Sequence, residues 1–177
     1  MKVLIIPGYG GSGPEHWQSL WEENHPGFVR VPQRDWDHPV CHEWVQNLEQ
    51  AVVHSGPQTL LVAHSLGCHT VAHWAAQTQR AVSGALLVAP PDLDGPDCPP
   101  QVVGYQPVPM QALPFPSMVV ASSNDPHASL EYAQACARAW GSGFEDVGPL
   151  GHINAQSGIA DWPQGYALLQ RLAGSIE

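Results

Sequence analysis

The strongest local pattern in the chain is Leu60-Leu61-Val62-Ala63-His64-Ser65-Leu66-Gly67-Cys68. An apolar run leads into it and a helical pattern follows it. Its spacing matches G-x-S-x-G, in which a serine lies on a sharp turn between a strand and a helix, with Ala63 in place of the first glycine. Larger side chains at positions 63 and 67 would collide in such a turn. The pattern favours Ser65 as an exposed nucleophile, and the alternative is a chance Ser–Gly turn before a helix.

Two later segments supply the partners that a nucleophilic serine needs. A serine hydroxyl is a weak nucleophile at neutral pH, so it requires an adjacent base that a third group orients. On a strand–turn–helix scaffold the chain order is serine, acid and histidine, each after a strand. Asp125 follows the apolar run 118–121, and His152 follows the run 144–147. The sequence therefore predicts His152 as base and Asp125 as orienting acid, with Asp92 as the second candidate for the acid.

Two backbone N–H groups are candidates for stabilising an oxyanion. Leu66 directly follows the nucleophile, and Tyr9 lies in the glycine-rich loop 7–13 after the first strand. Glycine-rich loops also bind dinucleotides, but the glycines here do not have the G-x-G-x-x-G spacing, and no acidic residue closes the next strand. We therefore predict no cofactor. Tyr9 and Trp36 are predicted to bind the substrate, and further candidates for the pocket wall are Leu93 and Met110.

Two histidines after the nucleophile have a spacing that could hold a metal. His69 and His73 are separated by one helical turn. However, Gln77 and Arg80 continue the same line, so we interpret it as a solvent-facing polar stripe and predict no metal site.

The histidines nearest to the predicted triad receive no catalytic role. His127 lies close to Asp125 and is predicted to start a helix, where a solvated or capping role is expected. His64 adjoins the nucleophile, but its side chain is expected to point away from that of Ser65.

Short apolar runs alternate with amphipathic segments along the chain. The candidate strands are residues 3–6, 28–31, 59–63, 85–89, 118–121 and 144–147. Several are continuously apolar, which is typical of strands buried on both faces. The alternation predicts an α/β fold with about six mostly parallel strands and helices on both faces. We expect a single domain over residues 1–177, with the proline-rich segment 90–116 forming a long surface loop beside the site.

The composition excludes several classes of partner. The chain carries a net charge of −10 and only six Lys and Arg residues, whereas nucleic acids and anionic membranes require clustered basic residues. No stretch approaches the roughly 20 apolar residues of a membrane span. Pro7 interrupts the N-terminal apolar run before it reaches the length of a signal-peptide core, so a cytoplasmic location is expected. In that compartment Cys41, Cys68, Cys98 and Cys136 are expected to be reduced thiols.

Taken together, the motifs resemble those of the YdeN/retinoblastoma-binding-protein-9 family of small α/β-hydrolases. The matching segments are Pro7-Gly8-Tyr9-Gly10, Gln33-Arg34-Asp35-Trp36, Ala63-His64-Ser65-Leu66-Gly67, Ser123-Asn124-Asp125-Pro126, Gly151-His152-Ile153-Asn154, Gly158 and Trp162-Pro163. They span nearly the whole chain in the same order.

This resemblance implies a compact six-stranded hydrolase sheet that lacks the usual first two strands, with no cap domain. It also implies a triad at Ser65, Asp125 and His152 that acts on small esters or amide-like substrates. Some relatives are named for binding a pocket protein through an L-x-C-x-E segment. That partner is not implied here, because His69 and Thr70 follow Cys68.

The leading hypothesis is a cofactor-independent serine hydrolase that acts on a small-molecule acyl substrate. Carboxylic esters are the expected substrates, and thioesters or amide-like compounds would use the same chemistry. The alternative is a non-catalytic protein-binding module on the same fold, since a fold alone does not determine function. A third hypothesis is acyl transfer to an acceptor other than water.

Overall fold

Strands and helices alternate along the chain in the computed structural model, which describes residues 1–96 and 98–176. The strands are β1 (Lys2–Ile6), β2 (Phe28–Arg30), β3 (Thr59–His64), β4 (Gly84–Val88), β5 (Ser117–Ala121) and β6 (Gly143–Asp146). The helices are α1 (Trp17–Asn24), α2 (Cys41–Ser55), α3 (Leu66–Ala75), α4 (Leu130–Trp140) and α5 (Pro163–Gly174), with a short 3₁₀ turn at Ala155–Ser157. All six predicted strands are confirmed, and each boundary agrees to within one residue.

The six strands form one parallel sheet in the order β2-β1-β3-β4-β5-β6. The predicted α/β class is therefore confirmed. The chain moves outward from β1 to β2 and then returns to place β3 on the other side of β1. Open parallel sheets bind ligands outside the carboxyl ends of their strands, at the point where the strand order reverses. Here that point lies between β1 and β3.

Helices cover both faces of the sheet. Successive side chains of a strand point to opposite faces, so Leu61 and Ala63 pack with α2, α3 and α4, whereas Leu60 and Val62 pack with α1 and α5. Every residue of β3 is buried, as its continuously apolar sequence predicts. Across the described residues no further domain covers the carboxyl edge of the sheet, which agrees with the expected lack of a cap.

The proline-rich segment 90–116 connects β4 to β5 and packs over α3. Within this segment, which the structure describes apart from Asp97, the Tyr105 hydroxyl lies 3.0 Å from Thr70 Oγ1. The Nε2 atoms of His69 and His73 donate to the carbonyl oxygens of Pro91 and Tyr105, at 2.6 and 2.8 Å. His69 is fully buried and His73 half-buried, so the prediction of a solvent-facing stripe was wrong for these two residues, whereas Gln77 and Arg80 are exposed. The two histidines are polar residues on this face because they bind the overlying segment.

Two further expectations concern membranes and cysteines. None of the helices in the described part of the chain is long and apolar enough to cross a membrane. All four cysteines are free thiols. Burial raises the pKa of Cys41 to about 12 and that of Cys136 to about 11, so these two thiols stay protonated at neutral pH.

Candidate active site

Ser65 lies on a strained turn between β3 and α3. Its backbone has φ 55° and ψ −127°, a region that residues other than glycine rarely adopt. Two features hold it there. The Ser65 N–H donates to the Val88 carbonyl at 2.9 Å, and Gly67 lies so close to the Ile6 carbonyl oxygen that a Cβ would overlap it. This is the strand–turn–helix geometry that the sequence predicts.

The three predicted triad side chains form one hydrogen-bonded line. His152 Nε2 lies 2.8 Å from Ser65 Oγ, and His152 Nδ1 lies 2.9 Å from both carboxylate oxygens of Asp125. Because a carboxylate only accepts, Nδ1 carries the hydrogen and Nε2 is left as the acceptor for the serine hydroxyl. The side chains of His152 and Asp125 are only 10% and 3% exposed, so solvent screens their attraction weakly.

The loops after β5 and β6 hold each other in place. Ser122 Oγ accepts from the Leu150 N–H at 2.9 Å, and Asn124 Oδ1 accepts from the Gly151 N–H at 2.7 Å. Asp125 is fixed in turn by the His127 N–H, which donates to its Oδ1 at 2.9 Å. Asp125 and His152 are therefore positioned by a shared network and not by two independent loops.

Asp92, the second candidate for the acid, is not at His152. Its Oδ1 accepts from the Asp94 N–H at 3.0 Å, and its side chain lines the cavity described below. The structure thus brings Asp125, and not Asp92, to the imidazole.

The glycine-rich loop after β1 approaches Ser65 closely at Gly8. A Cβ on Gly8 would lie 2.8 Å from Ser65 Cβ and 3.0 Å from the Leu66 nitrogen. Tyr9 follows directly, so its backbone lies beside that of Leu66 at the start of α3. The Gly10 N–H donates to the Trp36 carbonyl at 3.0 Å and fixes the loop further along. The role of Tyr9 and Leu66 as oxyanion donors stays a prediction that this geometry permits.

A cavity of about 700 Å³ opens above Ser65 at the carboxyl edge of the sheet. The loop after β1 contributes one wall, which includes Tyr9 and Ser12, and the loops after β5 and β6 contribute a second. The proline-rich segment forms a mainly apolar third wall, whose members include Pro91, Leu93, Cys98 and Val102.

Two of the predicted pocket residues lie elsewhere. Trp36 is not among the described residues that line the cavity. Its ring packs on Gly11 and meets the Trp44 ring edge-on, with the ring centroids 5.4 Å apart. It therefore supports the glycine-rich loop from outside, which contradicts its predicted contact with the substrate. Met110 is exposed and also lies away from the cavity.

Sequence reasoning missed the contacts that His64 and His127 make with His152. The ring centroid of His152 lies 4.9 Å from that of His64 and 4.6 Å from that of His127. His127 does not start a helix, because α4 begins at Leu130 and is capped by Ser129. The contact of His64 could have been predicted, because His64 directly precedes Ser65 and any base for Ser65 must come close to both residues.

The structure offers no obvious metal centre in the residues it describes. No group of three or more His, Cys, Asp or Glu side chains there could hold an ion. The Nε2 atoms of the histidine pair on α3 already donate to backbone carbonyls.

Comparison with known proteins places the chain in a family. The sequence profile described as Serine hydrolase matches residues 3–171. The chain belongs to the serine hydrolase family. This serine hydrolase is also similar to the solved structure of a YdeN-like hydrolase from Pectobacterium atrosepticum. The two share 31% identity and a TM-score of 0.87, over 99% of this chain and 91% of that one. The predicted resemblance to the YdeN family is thus confirmed.

More distant structures share the fold of this serine hydrolase. The ydeN gene product of B. subtilis has 21% identity and a TM-score of 0.77, over 97% of both chains. Est1E from Butyrivibrio proteoclasticus has 12% identity and a TM-score of 0.65, over 98% of this chain and 86% of that one. A comparison with curated proteins found no match.

Proposed function

We propose that this serine hydrolase cleaves small carboxylic esters through an acyl-enzyme formed on Ser65. The observation that carries the proposal is the continuous hydrogen-bonded line from Ser65 through His152 to Asp125, which opens into the cavity. The cavity volume falls within the range of roughly 300–1,000 Å³ that is usual for small-molecule sites. A small-molecule acyl substrate therefore fits the space above the nucleophile.

The proposed reaction follows from the protonation states of the line. As Ser65 Oγ bonds to the acyl carbon, its proton passes to His152 Nε2, and Asp125 stabilises the imidazolium through the Nδ1–H. The N–H groups of Tyr9 and Leu66 are proposed to bind the oxyanion. His152 then gives the proton to the leaving oxygen, whose bond to carbon breaks. A water molecule, deprotonated by His152, then bonds to the acyl carbon. The ester bond to Ser65 Oγ breaks, His152 returns the proton to Oγ, and the carboxylic acid leaves.

Labelling with a fluorophosphonate probe tests this proposal directly. We expect a mass adduct on Ser65 in the wild type, no adduct in Ser65→Ala, and strongly slowed labelling in His152→Ala. On p-nitrophenyl esters of increasing chain length, loss of Ser65 or His152 should lower kcat by about 10⁴–10⁶-fold. Asp125→Asn should lower kcat by about 10⁴-fold, because the imidazole then adopts the wrong tautomer.

The chain offers a matched control in a second histidine–aspartate pair. His38 Nδ1 and Asp35 Oδ2 lie 3.2 Å apart on the exposed surface, away from the cavity. The variants Asp35→Asn and His38→Ala make the same chemical changes, and we expect wild-type rates of labelling and ester hydrolysis from both.

The same experiment separates the competing hypotheses. A folded wild type that gives neither an adduct nor ester hydrolysis would contradict the proposal and favour a protein-binding module. Thioester and amide analogues of the best acyl group would define the leaving group. Transfer products formed when alcohols are added would indicate an acyltransferase, since only the group that resolves the acyl-enzyme differs.

A further inference from the structure

The turn that carries the base has an unfavourable backbone. His152 lies between Gly151, with φ 57°, and Ile153, with φ 46°. The left-handed region suits glycine, but a β-branched residue such as isoleucine rarely occupies it. Ile153 is fully buried, so water does not satisfy the polar groups of this backbone. Such a conformation persists only when neighbouring groups hold it in place.

Two ring N–H groups hold consecutive carbonyl oxygens of this turn. His64 Nε2 lies 2.8 Å from the His152 carbonyl oxygen, and Trp17 Nε1 lies 2.8 Å from that of Ile153. A carbonyl only accepts, so both ring nitrogens are donors. We call His64 and Trp17 the carbonyl clamp.

The carbonyl clamp is itself rigid. Both side chains are buried, and their rings meet edge-on with centroids 6.0 Å apart. The His16 ring packs against both, and His16 Nδ1 accepts from the Gln18 N–H at 3.1 Å, which fixes the start of α1 where Trp17 lies. Burial holds the pKa of His64 well below its ordinary value, so its imidazole is neutral and keeps a single hydrogen on Nε2.

We propose that His64 and Trp17 are positioning residues that hold the His152 turn in its left-handed conformation and so aim Nε2 at Ser65. This inference rests on the proposed function, since it assigns the clamp a purpose in that reaction. Without either N–H, Ile153 would relax toward an ordinary backbone conformation. The imidazole would then move away from its 2.8 Å contact with Ser65 Oγ. Small displacements of a reacting group cost up to about 100-fold in rate.

The principal test removes each N–H while keeping an aromatic ring. In His64→Phe and Trp17→Phe we expect the fluorophosphonate labelling rate and kcat for a p-nitrophenyl ester to fall by about 10–100-fold. KM should change little, because both N–H groups are already bonded to carbonyl oxygens of the turn. His64→Gln keeps an amide donor near the same place and should recover a large part of the loss.

A readout independent of turnover separates positioning from loss of structure. The Ile153 N–H donates to the Leu150 carbonyl at 3.1 Å, and its hydrogen exchange should accelerate in His64→Phe while exchange in the sheet stays unchanged. The ¹⁵N shift of His152 Nε2 should change, because its hydrogen bond with Ser65 Oγ weakens, whereas Nδ1 should keep the hydrogen that Asp125 accepts.

Two matched controls remove equivalent bonds elsewhere. Trp21 lies on the same helix as Trp17, and its Nε1 donates to the Asp161 carbonyl. His73 Nε2 donates to the Tyr105 carbonyl at 2.8 Å. Trp21→Phe and His73→Phe should leave the labelling rate and the exchange of Ile153 unchanged.

The possible outcomes separate the two proposals. If folded His64→Phe and Trp17→Phe label at the wild-type rate and keep the slow exchange of Ile153, the positioning role is wrong while the proposed function stands. If the wild type itself fails to label, the proposed function is overturned and the positioning role falls with it.

Discussion

Gly8 lies where the loop after β1 touches the turn that carries Ser65. A methyl group there would lie 2.8 Å from Ser65 Cβ and 3.0 Å from the Leu66 nitrogen, both tighter than ordinary contacts. In Gly8→Ala the loop must retreat, and the N–H of Tyr9 retreats with it. We expect kcat for a p-nitrophenyl ester to fall by about 10²–10³-fold, as when one oxyanion donor is lost. Steady-state kinetics on the purified variant measures this.

The matched control for Gly8 is Gly174, in the last turn of α5. A Cβ there meets nothing within 4 Å, so Gly174→Ala should keep wild-type activity. An unchanged kcat in folded Gly8→Ala would show that the loop after β1 contributes no donor to the reaction.

At the residue scale the sequence predicts the triad better than its surroundings. Ser65, Asp125 and His152 each follow a strand that the pattern identifies, and parallel strands bring their carboxyl ends to one edge. The contact of His64 with the His152 carbonyl depends on how the loop after β6, which lies 88 positions further along the chain, packs against β3. Trp36 packs on the outer side of the glycine-rich loop, and a sequence pattern carries no information on which side of a loop an aromatic ring packs.

At the scale of elements, the proline-rich segment forms the apolar wall of the cavity. Val102 lines the cavity, whereas its neighbour Val103 is 52% exposed and is not among the described lining residues. We expect Val102→Trp to fill part of the cavity and lower kcat/KM for long-chain p-nitrophenyl esters relative to the acetate by about 10-fold or more. A chain-length series measures the ratio.

Val103→Trp is the control for this prediction, because it adds the same side chain one position along the segment. We expect it to keep the wild-type chain-length profile. Equal profiles for wild type and Val102→Trp would mean that the acyl chain lies against another wall.

The same segment shows why one helix face was misjudged from sequence. The periodicity of α3 places His69 and His73 on one line, and a polar line usually faces solvent. Here the line faces a segment that begins after β4 and has no helix or strand periodicity of its own. Strand and helix positions follow from local patterns, whereas the path of an irregular segment depends on distant partners that a local pattern does not encode.

At the scale of the whole molecule, buried histidines link stability to pH. Burial lowers the pKa of His16 to about 3 and that of His69 to about 4, and it also lowers the pKa of His64. In the unfolded chain each histidine has a pKa near 6.5. Between about pH 6.5 and pH 4 the unfolded chain therefore binds more protons than the folded protein. The free energy of unfolding should fall as the pH falls through this window, by up to about 4 kcal/mol per pH unit.

Urea unfolding at a series of pH values tests this linkage. In His69→Gln the amide can still donate to the Pro91 carbonyl but cannot take up a proton. We expect the slope of stability against pH to decrease by up to about 1.4 kcal/mol per pH unit in this variant. Identical slopes in the two proteins would exclude His69 as a source of the acid sensitivity.

Within residues 1–96 and 98–176, the strand order leaves β2 and β6 with one unpaired side each. Free edges of this kind are the usual starting points for strand addition between molecules, which leads to dimers and fibrils. β2 has only three residues, and β6 ends in the charged pair Glu145 and Asp146. Glu145 pairs with Arg171, and Asp146 is exposed, so an incoming strand meets either too short a template or an ion pair followed by a negative charge. We expect concentrated solutions to resist cross-β aggregation, with thioflavin T fluorescence at baseline, and Asp146→Val to weaken that resistance.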